Sequence, residues 1–189
     1  MADPASRRAA LYATLVAIPV AVLVGVIAFA YIASRTSKSD AKPSASPATA
    51  VPSSAVAMPA PKLSPAHAQA CLAFIAQLPT QLRNLPERHV AAGAEQNAAF
   101  GEPPITVQCG AAQVRPAPTA TVYPISGVCW FPTTGANATV WTTLDREVPV
   151  AVTVPNTYAP GGSGSAQWTA EFSAPLVSAM PSVTTPYHC

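Results

Sequence analysis

Four cysteines, Cys71, Cys109, Cys129 and Cys189, are the residues of this chain best suited to chemistry. Such a set has three uses: it closes disulfides in an oxidising compartment, binds a soft metal, or supplies a thiolate nucleophile. Zinc would draw on His67 and Cys71, four apart and so on one helical face, and on the neighbouring pair His188 and Cys189. No Cys-x-x-Cys pair supports that use, and a nucleophile would need a histidine beside a thiol of lowered pKa. Disulfides are the expectation, and the spacing alone leaves all three pairings open.

The other reactive types are sparse. Glu95 and Glu102 have the chemistry of a glycosidase acid and base, but in a chain so poor in acids they read as solvated surface. His89, Asp145 and a serine could be written as a triad. No Gly-x-Ser-x-Gly elbow presents that serine, and Gly162-Ser163-Gly164 sits in a run of small residues. Trp130, Trp141 and Trp168 could line a sugar or peptide groove; an ordinary core is expected of them. Asn137-Ala138-Thr139 is a glycosylation sequon, meaningful only in a host with that machinery. No phosphate-cradling loop or dinucleotide fingerprint occurs, so no cofactor, metal or catalytic residue is expected.

The elements that carry these residues follow from pattern. Ser64-Pro65 is a helix start, with serine as N-cap and proline in the first turn. Cys71, Ile75, Leu78 and Leu82 then recur at helical spacing beside Leu72, and Pro79 stops or kinks the helix. Gly93–Phe100 reads as a short second helix, ended by Gly101 and Pro103-Pro104. Beyond it the period becomes two. Ile105, Val107 and Cys109 alternate with Thr106 and Gln108, as in a half-buried strand. Thr121–Ile125 and Val128–Phe131 flank Ser126-Gly127, and Thr139–Leu144 with Val148–Val154 predicts a hairpin around Asp145-Arg146. Pro149 belongs at a strand start or on an edge. Ala159–Ser165 predicts a flexible loop and Ser173–Met180 a last short helix. The sum is α+β: a helix packed on a small, mostly antiparallel sheet within residues 64–189.

Ahead of that domain lies an apolar run, Ala9–Ala33, of 25 residues without a charge. As a helix it reaches about 37 Å, enough to cross a hydrocarbon core of about 30 Å. Tyr12 and Tyr31 stand near its ends, where interfacial rings favour the headgroups. A cleaved signal peptide is the alternative, with Arg7 and Arg8 as its basic region and Ala28-Phe29-Ala30 as its cleavage pattern. The run is longer than the usual signal core, so an uncleaved signal-anchor is favoured. Basic residues flank both ends, Arg7 and Arg8 before and Arg35, Lys38 and Lys42 after, and charge alone does not orient it. The cysteines do. They place residues 1–8 in the cytoplasm, a single transmembrane pass over 9–33, and everything beyond on the oxidising, extracytoplasmic side of the plasma membrane.

Residues 34–63 read as a disordered Pro/Ser/Ala-rich linker with prolines at 43, 47, 52, 59 and 61. All six lysines and arginines outside the folded part fall between Met1 and Leu63. Ser64–Cys189 carries four arginines against six acids, a net of about −2. That balance, with no basic patch interleaved with aromatics, excludes nucleic acid as an expected partner.

Cys71 followed by Leu78-Pro79, then AAFGEPPITVQCG (Ala98–Gly110), ISGVCW (Ile125–Trp130) and VPVAVTVP (Val148–Pro155), resemble an actinobacterial membrane-protein family known as domain of unknown function 3515. This chain has Phe100 where the family has a tryptophan, Gln108 where it has an arginine, and Cys129 where it has an acidic residue. The resemblance implies an N-terminal anchor with an exported domain and no known activity. It also pairs Cys71 with Cys109, a bond that would tie the first helix to the first clear strand. Cys129, standing in place of the family's usual residue, is then left for Cys189. The expected function is a membrane-anchored, non-catalytic binding or scaffold protein of the bacterial cell envelope, its partner an envelope protein or a cell-wall polymer. A cell-wall hydrolase or wall-modifying enzyme is the first alternative, and a redox or metal-handling module the second.

Overall fold

The computed structural model describes residues 22–31, 54–160, 164–187 and 189. The chain divides into two units, Met1–Thr49 and Ala50–Cys189. In the first, residues 22–31 are helical (α1) and expose Leu23, Val24, Ile27 and Phe29. Among the described residues no helix is long and apolar enough to cross a membrane. The expected tail 1–8, the remainder of the expected anchor 9–33 and residues 34–53 of the expected linker lie outside the described residues.

The second unit is α+β. Helix α2 (Pro65–Ile75) is followed by β1 (Gln81–Leu82), β2 (Leu85–Arg88), β3 (Asn97–Phe100), β4 (Ile105–Cys109), β5 (Tyr123–Ile125), β6 (Val128–Thr134), β7 (Ala138–Thr143) and β8 (Val150–Pro155), and the order closes with α3 (Ala166–Ala179). All eight strands form one antiparallel sheet in the order β1-β2-β3-β4-β8-β7-β6-β5. Two consecutive four-stranded meanders thus meet through their last strands, β4 and β8. The sheet centre is the pair with the strictest alternation. Val107 faces Val152 and Cys109 faces Val150, all fully buried. Short strands β1 and β5 occupy the edges, which leaves little unpaired backbone there.

Both helices contribute to the core over the same sheet face. Phe74 and Cys71 from α2 and Trp168, Phe172 and Leu176 from α3 join Ile105, Val107, Trp130, Trp141, Val150, Val152 and Val154 in one cluster. Ser64 caps α2, its Oγ accepting from the His67 amide at 3.2 Å. Trp168, Phe172 and Leu176 recur every four residues and give α3 its apolar stripe. Pro175 costs the helix the amide donor that would have met the carbonyl of Glu171, an exposed residue.

Four local expectations are corrected by the structure. Residues 97–100 of the expected second helix are strand β3. Leu82 leaves the helical series and sits in β1, while Leu72 is 54% exposed. The last helix begins at Ala166, seven residues before the expected start, with Ser165, the end of the glycine-serine run, at its N-cap position. Finally, residues 54–63 of the expected linker lie against the sheet, where Val56 forms a parallel bridge with Val90. The pieces that flank Ser126-Gly127 pair with each other as the β5–β6 hairpin. Its two turn residues both have positive φ, +49° and +80°, the geometry of a two-residue turn matched to the strand twist.

Candidate functional site

Two buried arginines organise the parts of the domain that the sheet ladder does not reach. Arg88, at the end of β2, keeps only 3% of its side chain exposed. It donates to the Gly101 carbonyl at 3.1 Å, to the Glu102 carboxylate, and to the Ser54 carbonyl at 2.9 Å. A buried guanidinium requires partners of this kind, and its planar fork serves three directions at once. Asn97 and Gln96 extend the seam, donating to the carbonyls of Pro59 at 2.9 Å and Pro61 at 3.1 Å. Residues 54–63 are thereby stitched on as a strap, their carbonyls satisfied by side chains more than thirty positions away. Glu87, Arg88, His89, Val90, Ala94 and Asn97 line a cavity of about 300 Å³ beside this seam.

The turn between β3 and β4 completes the cluster. Gly101 has φ +75°, and a Cβ there would come within 2.9 Å of both Leu85 and the Tyr158 hydroxyl. The Tyr158 hydroxyl donates to the Pro103 carbonyl at 2.9 Å, and burial together with the nearby Glu102 charge pushes it above its usual 10.0. The AAFGEPP segment therefore does positional work: one turn holds a buried arginine on one side and a tyrosine on the other.

Arg146 plays the corresponding part at the other end of the sheet. Its guanidinium donates to the carbonyls of Met180 and Gly127 and pairs with Asp145 at 3.3 Å. The second carboxylate oxygen of Asp145 accepts from the Cys129 amide at 3.0 Å. This holds the start of the final segment against the β7–β8 turn, where Val183 donates to the Asp145 carbonyl.

The cysteines stand as two disulfides. Cys71 joins Cys109 with Cα atoms 5.6 Å apart, linking α2 to the centre of the sheet. Cys129 joins Cys189 at 5.8 Å, linking β6 to the final segment. Among the described residues, no three His, Cys, Asp or Glu side chains converge as metal ligands. His67 lies in the first turn of α2, its backbone amide donating to the Ser64 cap, and His188 lies outside the described residues. The other residues with reactive side chains are dispersed. Glu102 is bound to Arg88 and Asp145 to Arg146, while Glu95 and His89 are exposed, and Ser163 lies outside the described residues. The three tryptophans are core. Trp130 and Trp141 donate to the hydroxyls of Ser173 and Ser165, both on or at the start of α3. Trp168 carries the Arg83 guanidinium 4.4 Å from its ring centroid, and Arg83 also reaches Glu171 at 3.1 Å.

A different surface stands out by composition. The sheet face opposite the helices places Thr106 beside Thr153, Gln108 beside Ala151, Val140 beside Thr153 and Thr133, and Phe131 beside Thr142. Most of these are half-exposed, and none is charged. Sequence reasoning located the strands but not this face, because an alternating strand does not say whether its second face is covered. No curated protein and no solved structure matches the chain. The family model described as "Protein of unknown function (DUF3515)" matches residues 16–185, and the chain belongs to that family.

Proposed function

We propose that this is a membrane-anchored, extracytoplasmic binding or scaffold protein of the bacterial cell envelope, without catalytic activity. The observation that carries the reading is the uncharged outer face of β6, β7, β8 and β4, with its rows of threonine, Gln108 and Phe131. Hydroxyls, a carboxamide and one aromatic ring on a sheet face suit a neutral hydrogen-bonding partner such as a cell-wall polymer or the polar surface of an envelope protein. Of the carboxylates a hydrolase would need, Glu102 and Asp145 are tied to arginines, and among the described residues the cavity that Glu87 and His89 line has no second carboxylate in its lining. The two disulfides suit an oxidising compartment, and the uncharged run at residues 9–33 suits an anchor facing it. The expected source, an actinobacterial envelope, rests on the motif resemblance and on the alanine- and proline-rich composition.

The test is retention of the detergent-solubilised full chain on purified cell-wall material and on cross-linked envelope fractions. Saturable retention that Phe131→Ala together with Thr153→Lys abolishes, with the fold intact, supports the reading. Turnover of wall material, or reduced thiols in the protein taken from intact cells, would sink it.

A further inference from the structure

The two disulfides differ in how a thiol could reach them. Cys71 and Cys109 are both fully buried, between α2 and the sheet centre. Cys129 is fully buried too, but its partner Cys189 is exposed. The segment that ends in Cys189 is lightly held. Among the described residues 183–187 and 189, two hydrogen bonds reach the rest of the domain: the Val183 amide to the Asp145 carbonyl at 2.9 Å, and the Tyr187 hydroxyl to the Pro116 carbonyl at 3.2 Å. The same segment walls two cavities. One of about 470 Å³ lies between Pro116–Val122 and Pro186-Tyr187, and one of about 180 Å³ between Gln113–Arg115 and Val183–Tyr187.

We infer that Cys129–Cys189 is a site of thiol–disulfide exchange with a dithiol partner, and that its opening releases residues 183–187 and Cys189 from the loop 113–122, while Cys71–Cys109 remains closed. The chemistry balances. A thiolate of the partner attacks Sγ of Cys189, the exposed end, and forms a mixed disulfide. The Cys129 sulfur leaves, and in its buried setting takes up a proton to become a neutral thiol. The partner's second thiol then attacks its own sulfur in the mixed disulfide and releases Cys189. Two electrons and two protons pass to this chain, and the partner leaves as a disulfide. What changes in the fold is local. The sheet and both helices keep their ladder and their core, and the groove beside Pro116 and Pro118 loses its cover.

The full chain in detergent, without denaturant, is titrated with dithiothreitol, quenched with iodoacetamide, and mapped by non-reducing digestion alongside amide hydrogen exchange. Cys129 and Cys189 should become alkylated at about tenfold less reductant than Cys71 and Cys109. In the same step, amides of 113–122 and 183–187 should lose protection while those of β4 and β8 keep it. Opening of both bonds together overturns the inference, as does opening of Cys129–Cys189 with no change in exchange. The variant Cys189→Ser should show the released pattern with no reductant present. Loss of β4 and β8 protection in that variant would make the bond structural and would also overturn the inference.

Discussion

At the scale of single residues, the domain spends its two buried guanidinium groups on segments outside the sheet ladder. Arg88 binds the strap at Ser54 and the turn at Gly101 and Glu102, and Arg146 binds the approach to the final segment at Met180 and the β5–β6 turn at Gly127. Arg88→Met keeps the volume but leaves the Gly101 and Ser54 carbonyls without donors. Glu102, with 55% of its side chain exposed, returns to water. The loss is therefore that of the hydrogen bonds, about 2 kcal/mol, read from denaturant midpoints. It should come with faster exchange of the Val56 and Ala91 amides, which bond across the strap. Tyr158 supplies a pH test. Burial raises its pKa above the unfolded value of 10.0, so the native state holds that proton more tightly than the unfolded chain. Its contribution is complete below about pH 10 and disappears as pH climbs through the raised folded value. Denaturant midpoints should therefore fall from about pH 9 to about pH 11, and Tyr158→Phe should flatten that fall while costing about 1 kcal/mol at neutral pH for the lost bond to Pro103.

At the scale of elements, the two disulfides close loops of similar length, 38 and 60 residues of separation, and chain entropy alone would credit each with about 4 kcal/mol. The native state separates them. Without Cys71–Cys109, α2 must still stay on the sheet for the core to exist, so the native state gains no freedom. Without Cys129–Cys189, residues 183–187 and Cys189 gain freedom in the native state as well, which offsets much of what the unfolded chain gains. Cys71→Ala with Cys109→Ala should lower stability by about 3 kcal/mol, and Cys189→Ser by about 1 kcal/mol, measured by denaturant titration. The central strands behind this asymmetry were legible because Ile105, Val107 and Cys109, and Val150, Val152 and Val154, alternate cleanly. β3 was not legible. Asn97–Phe100 are buried on both faces, since the strap covers the second one, and four successive buried residues rich in alanine carry no period of two. The strap reads as linker because its prolines satisfy local rules for disorder. Its actual partners, Arg88, Gln96 and Asn97, lie 34 to 38 positions away. The early start of α3 was hidden for a similar reason: Ser165, at the end of a glycine-serine run, is buried as the acceptor for Trp141.

At the scale of the whole molecule, the sheet, α2, α3, both disulfides and both buried arginines fall within Ala50–Cys189. Residues 1–49 hold the uncharged run Ala9–Ala33 and five of the chain's ten lysines and arginines. The proposed division of labour makes these properties separable. A chain beginning at Ala50 should be released to the aqueous phase, whereas the full chain should stay with membranes through alkaline carbonate and be freed only by detergent. A fully buried apolar helix of about 20 residues is held far more strongly than a peripheral contact, which carbonate strips. The shortened chain should keep both disulfides by non-reducing digestion, and its denaturant midpoint should match that of the full chain. The strap at residues 54–63 sets the limit of this equivalence. A chain beginning at Ser64 loses the Ser54, Pro59 and Pro61 carbonyls that satisfy Arg88, Asn97 and Gln96, and it loses Leu63, which packs against the core. Arg88 keeps Gly101 and Glu102 and Asn97 keeps the Ala92 carbonyl, but each of the three buried side chains would lose one hydrogen bond, at about 1 kcal/mol each, so the start at Ser64 should be less stable than the start at Ala50. Equal midpoints for the two would show that the strap is bystander rather than part of the fold. Release of the full chain by carbonate would remove the anchor, and with it the basis for placing this domain at the envelope.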